Sequence, residues 1–167
     1  MLDDLLERLL SGEGGPAADH VGLGMLLAEA HNRSRERLNG ALRPLGVNVR
    51  GLCVLLALPM YGPVSQRDLI DRIGIDKSTM VRLVDELEDG GLVSRERTPQ
   101  DRRAYSIVLT PRGEETLAEA RRIAQEAGDE IFGGFTGPER RRLVDLLRRL
   151  AEPAASPGAD GPGPGPR

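Results

Sequence analysis

Lys77, Ser78, Thr79 and Arg82 fall within six consecutive positions. Their types suit hydrogen bonding to base edges and phosphates: an arginine presented bidentate to guanine makes the commonest base-specific contact, and hydroxyls serve base or backbone. Lys77 is also the single lysine among 23 basic residues. Further along, Arg102 and Arg103 stand at the tip of a segment that reads as a hairpin, where guanidinium groups suit the negative potential of a narrow minor groove. Asp101 beside them is expected to hold an arginine in place through a carboxylate pair without touching DNA. Ser65, Gln66 and Arg97 complete the candidate DNA-facing set; Arg95 and Arg97 read equally as strand arginines paired with neighbouring acids. Bond-breaking chemistry has no comparable constellation. Two histidines and one cysteine at unrelated positions do not assemble into nucleophile, base and orienting residue, nor do they match a common metal spacing. No catalytic residue, cofactor or metal is therefore expected.

The elements that must hold these residues can be read from local pattern. Asp76 caps a helix in which Met80, Leu83, Val84 and Leu87 keep the three-and-four spacing of a buried stripe, leaving Ser78, Val81, Arg82 and Asp85 on the opposite face. Before it, Ser65-Gln-Arg-Asp68 is a capping-box-like start to a short helix carrying Leu69, Ile70 and Ile73 and ending at Gly74. The short turn between them, Ile73-Gly-Ile-Asp76, makes the pair a helix-turn-helix candidate. Gly90-Gly91 stops the second helix, and residues 92–97 and 104–110 read as two strands, the second alternating Tyr105, Ile107 and Leu109 against Ser106 and Thr110. Thr110-Pro111 opens a long helix to about Phe132, and Thr136-Gly-Pro-Glu139 opens a last one with Leu143, Leu146, Leu147 and Leu150 on one stripe. On the N-terminal side, Leu2, Leu5, Leu6, Leu9 and Leu10 mark a short amphipathic helix that needs a partner surface. Residues 19–42 read as a longer helix, and Asn48 caps a third, 49–58, which Pro59 and Gly62-Pro63 are expected to close.

Composition narrows the partner. The net charge is −3, and residues 65–103 hold eight basic against nine acidic side chains, so any attraction to phosphate must be local. Asp85, Glu86, Glu88 and Asp89 crowd the rear of one helix, which confines the expected contacts to its front half, Lys77 to Arg82. An aromatic content of 2% with no Trp favours an α-rich core and argues against a single-strand binder, which needs aromatic faces for bases to stack on. The N-terminus has no signal-peptide pattern and no apolar run reaches the length of a membrane span, so a cytoplasmic protein without a membrane partner is expected.

Helix, turn, helix and hairpin in this order make a winged helix-turn-helix: mainly α, with a small β-hairpin wing. The stretches Gly62-Pro-Val-Ser-Gln-Arg-Asp-Leu, Ile75-Asp-Lys-Ser-Thr-Met-Val-Arg-Leu-Val-Asp-Glu-Leu, Gly91-Leu-Val-Ser-Arg, Asp101-Arg-Arg and Leu109-Thr-Pro-Arg-Gly113 closely resemble the MarR family of regulators over residues 45–117. That resemblance implies a homodimer formed by the N- and C-terminal helices on a palindromic double-stranded operator, commonly a repressor released by a small effector or by oxidation. It also implies that Arg103 is the minor-groove residue. The organisation expected is a short amphipathic helix and flexible connection (1–18), an N-terminal dimerisation helix (19–47), a DNA-binding lobe (48–110), C-terminal dimerisation helices (111–152) and a disordered Pro/Gly tail (153–167).

Three side chains carry alternative readings. His31 and Arg35, one helical turn apart, suit either the family's ligand cleft or a surface or dimer contact. Cys53 reads either as a redox-active, peroxide-sensing thiol, as in some members of the family, or, within Leu52-Cys-Val-Leu-Leu-Ala-Leu, as a buried inert small hydrophobe with a raised pKa; the second is favoured, since the sensing cysteine usual in the family lies near the N-terminal helix. A winged-helix lobe that docks a protein instead of DNA is the rival reading, kept open by the acidic net charge.

Overall fold

The computed structural model describes residues 2–12, 15–97 and 105–152, and tertiary contacts divide the chain into two units, 1–131 and 132–167. The first contains α1 (Leu2–Leu10), α2 (Gly15–Leu42), a 3₁₀ turn (Arg43–Leu45), α3 (Val49–Tyr61), α4 (Gln66–Ile73), α5 (Lys77–Asp89), β1 (Val93–Arg97) and β2 (Tyr105–Leu109). It is closed by α6 (Pro111–Phe132), and the second unit contains α7 (Gly137–Ala151). The expected tail, 153–167, and the hairpin tip, 98–104, lie outside the described residues.

Helix starts form where short polar side chains reach the free amides of a first turn. The Asn48 side chain accepts from the Gly51 amide at 2.9 Å. Ser65 Oγ accepts from the Asp68 amide at 3.1 Å while Asp68 Oδ2 accepts in return from the Ser65 amide at 3.4 Å. Asp76 and Thr110 do the same for Thr79 and Gly113, at 2.9 and 3.0 Å. Two boundaries differ from expectation. The second helix begins at Gly15, four residues early, and α3 runs through Pro59 to Tyr61. A proline so near a helix end forfeits little, since only the Leu55 carbonyl loses a donor, and the Gly62 amide closes the helix onto Leu58 O at 2.8 Å.

The core sits between α3, α4, α5 and the hairpin. Leu42, Val54, Leu55, Leu69, Met80 and Val84 are all 0% exposed, and Leu117 and Ala120 of α6 pack onto the same cluster. β1 and β2 pair antiparallel, with Val93 opposite Leu109 and Arg97 opposite Tyr105. The expected alternation along β2 fails: Ser106 and Ile107 are both buried and Tyr105 is exposed. The cause lies outside the hairpin, where the segment before α4 adds a bridge and the Ile107 amide donates to Val64 O at 2.8 Å, covering what would have been an edge.

Behind the hairpin the chain passes through a tight joint. Thr110 Oγ1 donates to Gly91 O at 2.7 Å, and the Thr110 amide donates to Leu92 O at 3.1 Å. Gly113 then comes so close to Leu92 that an added Cβ would overlap its carbonyl oxygen and lie 2.9 Å from its carbonyl carbon. α6 is thus seated directly on the turn that ends α5.

α1 finds its partner surface within the chain. It packs on α2, burying Leu6, and Gly22 permits the approach, since a Cβ there would stand 2.9 Å from Leu9 Cβ. Leu5, Leu10, Val21, Leu23, Leu26 and Leu27 remain exposed. In the second unit, Glu139 Oε2 accepts from the Thr136 amide and hydroxyl, both at 2.7 Å, and Thr136 thereby holds the carboxyl below its usual range. Val144, Leu146, Leu147 and Leu150 of α7 are exposed. No single helix among the described residues is long and apolar enough to cross a membrane.

Candidate nucleic-acid interface

α5 is anchored by Met80, Leu83, Val84 and Leu87, all buried, which fixes the rotation of the helix and turns Lys77, Ser78, Val81 and Arg82 outward. At its start Asp76 caps the helix and also accepts the Ser78 hydroxyl at 2.6 Å. These bonds, that from Ser78 foremost, hold the Asp76 carboxyl far below its ordinary range. In this arrangement the Ser78 hydroxyl donates to Asp76, which leaves its lone pairs on the outward side. Thr79 is half-buried, with its amide spent on the cap. The Arg82 guanidinium is exposed, and its ion pair with Glu86 is loose, 3.7 Å.

The rear of α5 is built differently. Arg95, on β1, bridges Asp85 at 2.5 Å and Glu88, and Glu88 Oε1 accepts from the Arg95 amide at 3.1 Å. Partial burial alone would lower the pKa of Arg95, and the hydrogen bonds to the two acids outweigh it and raise the pKa. Of the two readings of Arg95, the structure shows the paired one. The signal was present in the sequence: Asp85 and Glu88 share a helix face, and Gly90-Gly91 turns the chain straight back past them. Arg97, two residues on, keeps to the same face of the strand at its open end and is exposed.

Ser65 and Gln66 are half-buried at the start of α4, which packs on α5. Asp101, Arg102 and Arg103 lie outside the described residues. His31 and Arg35 are exposed on α2. A cavity of about 300 Å³ opens further along that helix, lined by Arg37, Ala41, Ile123, Glu126, Ala127 and Glu130, with Arg37 donating to Glu130 across it at 2.8 Å. Cys53 corrects an expectation: it is exposed, because α3 turns Leu52, Val54 and Leu55 inward and Cys53 out. The surrounding protein still desolvates the thiol enough to raise its pKa. Among the described residues no group of His, Cys, Asp or Glu could hold a metal ion.

This arrangement has close counterparts. The family model described as MarR family matches residues 45–104. A protein of Bacillus subtilis (strain 168), the uncharacterized HTH-type transcriptional regulator YdgJ, is 31% identical over 105 residues, which span 63% of this chain and 64% of that one. A crystal structure of a MarR-family transcriptional regulator from Rhodococcus sp. RHA1 is 32% identical, with 77% of this chain and 91% of that one covered and a TM-score of 0.68. CouR from Rhodococcus jostii RHA1, solved bound to p-coumaroyl-CoA, is 33% identical, with 80% and 94% covered and a TM-score of 0.70.

Proposed function

From the premise that this chain belongs to the MarR family of transcriptional regulators, we propose that it is a ligand-responsive repressor binding a palindromic double-stranded operator as a homodimer. The observation that carries the reading is the rotation of α5: its buried stripe commits Lys77, Ser78 and Arg82 to one exposed face immediately before a β-hairpin. In the major groove Arg82 reads a guanine edge, and Lys77 and Thr79 serve phosphate. Ser65 and Gln66 support from α4, Arg97 approaches phosphate, and Arg102 and Arg103 enter the flanking minor groove with Asp101 positioning them. The exposed leucines of α2 and α7 supply the apolar surface that a second copy covers. The two recognition helices then stand about one DNA turn, ~34 Å, apart.

An effector acts by favouring a dimer in which that spacing is wrong; a coupling of about 1–3 kcal/mol is enough for a 5- to 150-fold change in affinity. The acyl-CoA held by CouR makes a small organic acid or its thioester a reasonable first class to screen.

The experiment is selection of bound fragments from the source genome, followed by footprinting. Enrichment of a palindromic site is expected. Arg82→Ala should then lose about 1–3 kcal/mol and relax base preference at one position of each half-site. Unchanged affinity and preference would remove α5 as the reader. Affinity insensitive to salt would favour a protein-docking lobe, because phosphate contacts release counterions and salt weakens them steeply.

A further inference from the structure

One residue on the outward face of α5 has no place in the polar contacts just assigned. Val81 is 36% exposed, and the residues that share its face are Ser78, Arg82 and Asp85. The core does not claim it: the stripe that anchors α5 is complete without it. Helix propensity does not favour it either, since a β-branched residue on a solvated face is worse than alanine. An apolar side chain held beside donors and acceptors on one helix face is what a major-groove reader needs for the one apolar group displayed there, the C5-methyl of thymine.

We infer that Val81 is a specificity-determining residue that reads a thymine methyl, with Ser78 beside it accepting from the amino group of an adenine or cytosine. The inference rests on α5 being the recognition helix. Ser78 and Val81 are three residues apart and Ser78 and Arg82 four, so Ser78 has both as helix-surface neighbours, each with its Cβ about 5–6 Å from that of Ser78. That spacing matches neighbouring base pairs stacked ~3.4 Å apart. With its hydroxyl proton given to Asp76 at 2.6 Å, Ser78 presents acceptor lone pairs, which suit a donor on the base and not guanine O6 or N7. Val81 and Arg82 flank Ser78, and Arg82 is donor-only, so the strip reads as methyl contact, acceptor, double donor.

The test uses the full-length chain and the duplex recovered by selection. Each thymine is replaced in turn by deoxyuridine, which deletes the methyl and leaves every hydrogen-bonding group in place, and affinity is read by fluorescence anisotropy. For the wild type, one position in each half-site should cost about fourfold, the value of one buried methyl, and roughly 15-fold when both half-sites are changed. Val81→Ala, which removes only an exposed side chain from a helix, should lose that sensitivity while still binding the operator. Val81→Thr, which keeps one methyl, should retain part of it. Ser78→Ala should weaken binding and leave the methyl sensitivity in place. Uridine effects of equal size in wild type and Val81→Ala, or no uridine effect at all, would overturn the assignment while α5 stands as the reader. Recovery of no duplex in the selection would overturn both.

Discussion

The middle of the chain and its ends treat their apolar residues in opposite ways. Through α3, α4, α5 and the hairpin, large side chains fall to 1% exposure or less, whereas Leu23 on α2 and Leu150 on α7 stay 58% and 63% exposed. The middle is closed by its own packing, whereas α2 and α7 each carry exposed apolar surface of the kind that marks an interaction site. α5 repeats the contrast on a smaller scale. Two of its rear acids, Asp85 and Glu88, are tied to Arg95, and its front offers Ser78, Val81 and Arg82 to solvent. In the proposed dimer the middle serves as the reader, and the ends set the spacing of two readers.

The sharpest way to break the closed middle is Gly113→Ala. The added Cβ meets backbone, the Leu92 carbonyl, which cannot swing aside as a side chain would. The expected loss is more than about 3 kcal/mol of stability, seen as a large fall in the denaturation midpoint. A near-wild-type midpoint would mean that α6 is not seated on that turn.

The ends should respond in association and not in folding. Leu147→Glu with Leu150→Glu is expected to weaken self-association by a hundredfold or more, about 3 kcal/mol, with the thermal transition of the monomer preserved. Sedimentation equilibrium would show it, and an unchanged dimer would place the interface elsewhere.

Within α5, Arg95→Ala separates rear from front. With Arg95 already 27% exposed, the loss of its bridges should cost only about 1 kcal/mol of stability. Because Arg95 touches no phosphate in this reading, the slope of log affinity against log salt should stay as it is, whereas Arg97→Ala should reduce it by about 0.9 for each phosphate left without its arginine.

The smallest effect expected is that of pH through Asp76. Its folded pKa is depressed, so its stabilising contribution is complete above the unfolded value of about 3.9 and fades as pH falls below it toward the folded value. Asp76→Asn should therefore lower stability modestly on the neutral side, where the contribution is complete, and converge on the wild type as pH falls, flattening the acid limb, as urea titrations from pH 2 to 7 would report. An equally steep acid limb would assign the loss to other carboxylates.

What the sequence determined by itself is what depends on neighbours three or four residues away. The caps at Asn48, Ser65, Asp76 and Thr110 hold in the structure because side chain and amide are fixed by one turn of backbone, and the stripe from Met80 to Leu87 follows from helical period alone. The order of helix, turn, helix and hairpin followed from those starts and stops, whereas the family came from the resemblance of the residue stretches themselves. Tertiary structure decided what depends on residues brought together from afar. Whether Cys53 faces in or out turns on which side of α3 meets the core, and the burial of Ser106 depends on Val64 arriving from before α4. The closeness of Gly113 to Leu92 and of Gly22 to Leu9 exists only once two elements touch. The free role of Val81 belongs to the same class. Period put it on the outer face, but only the completed core shows that nothing within the described residues needs it there.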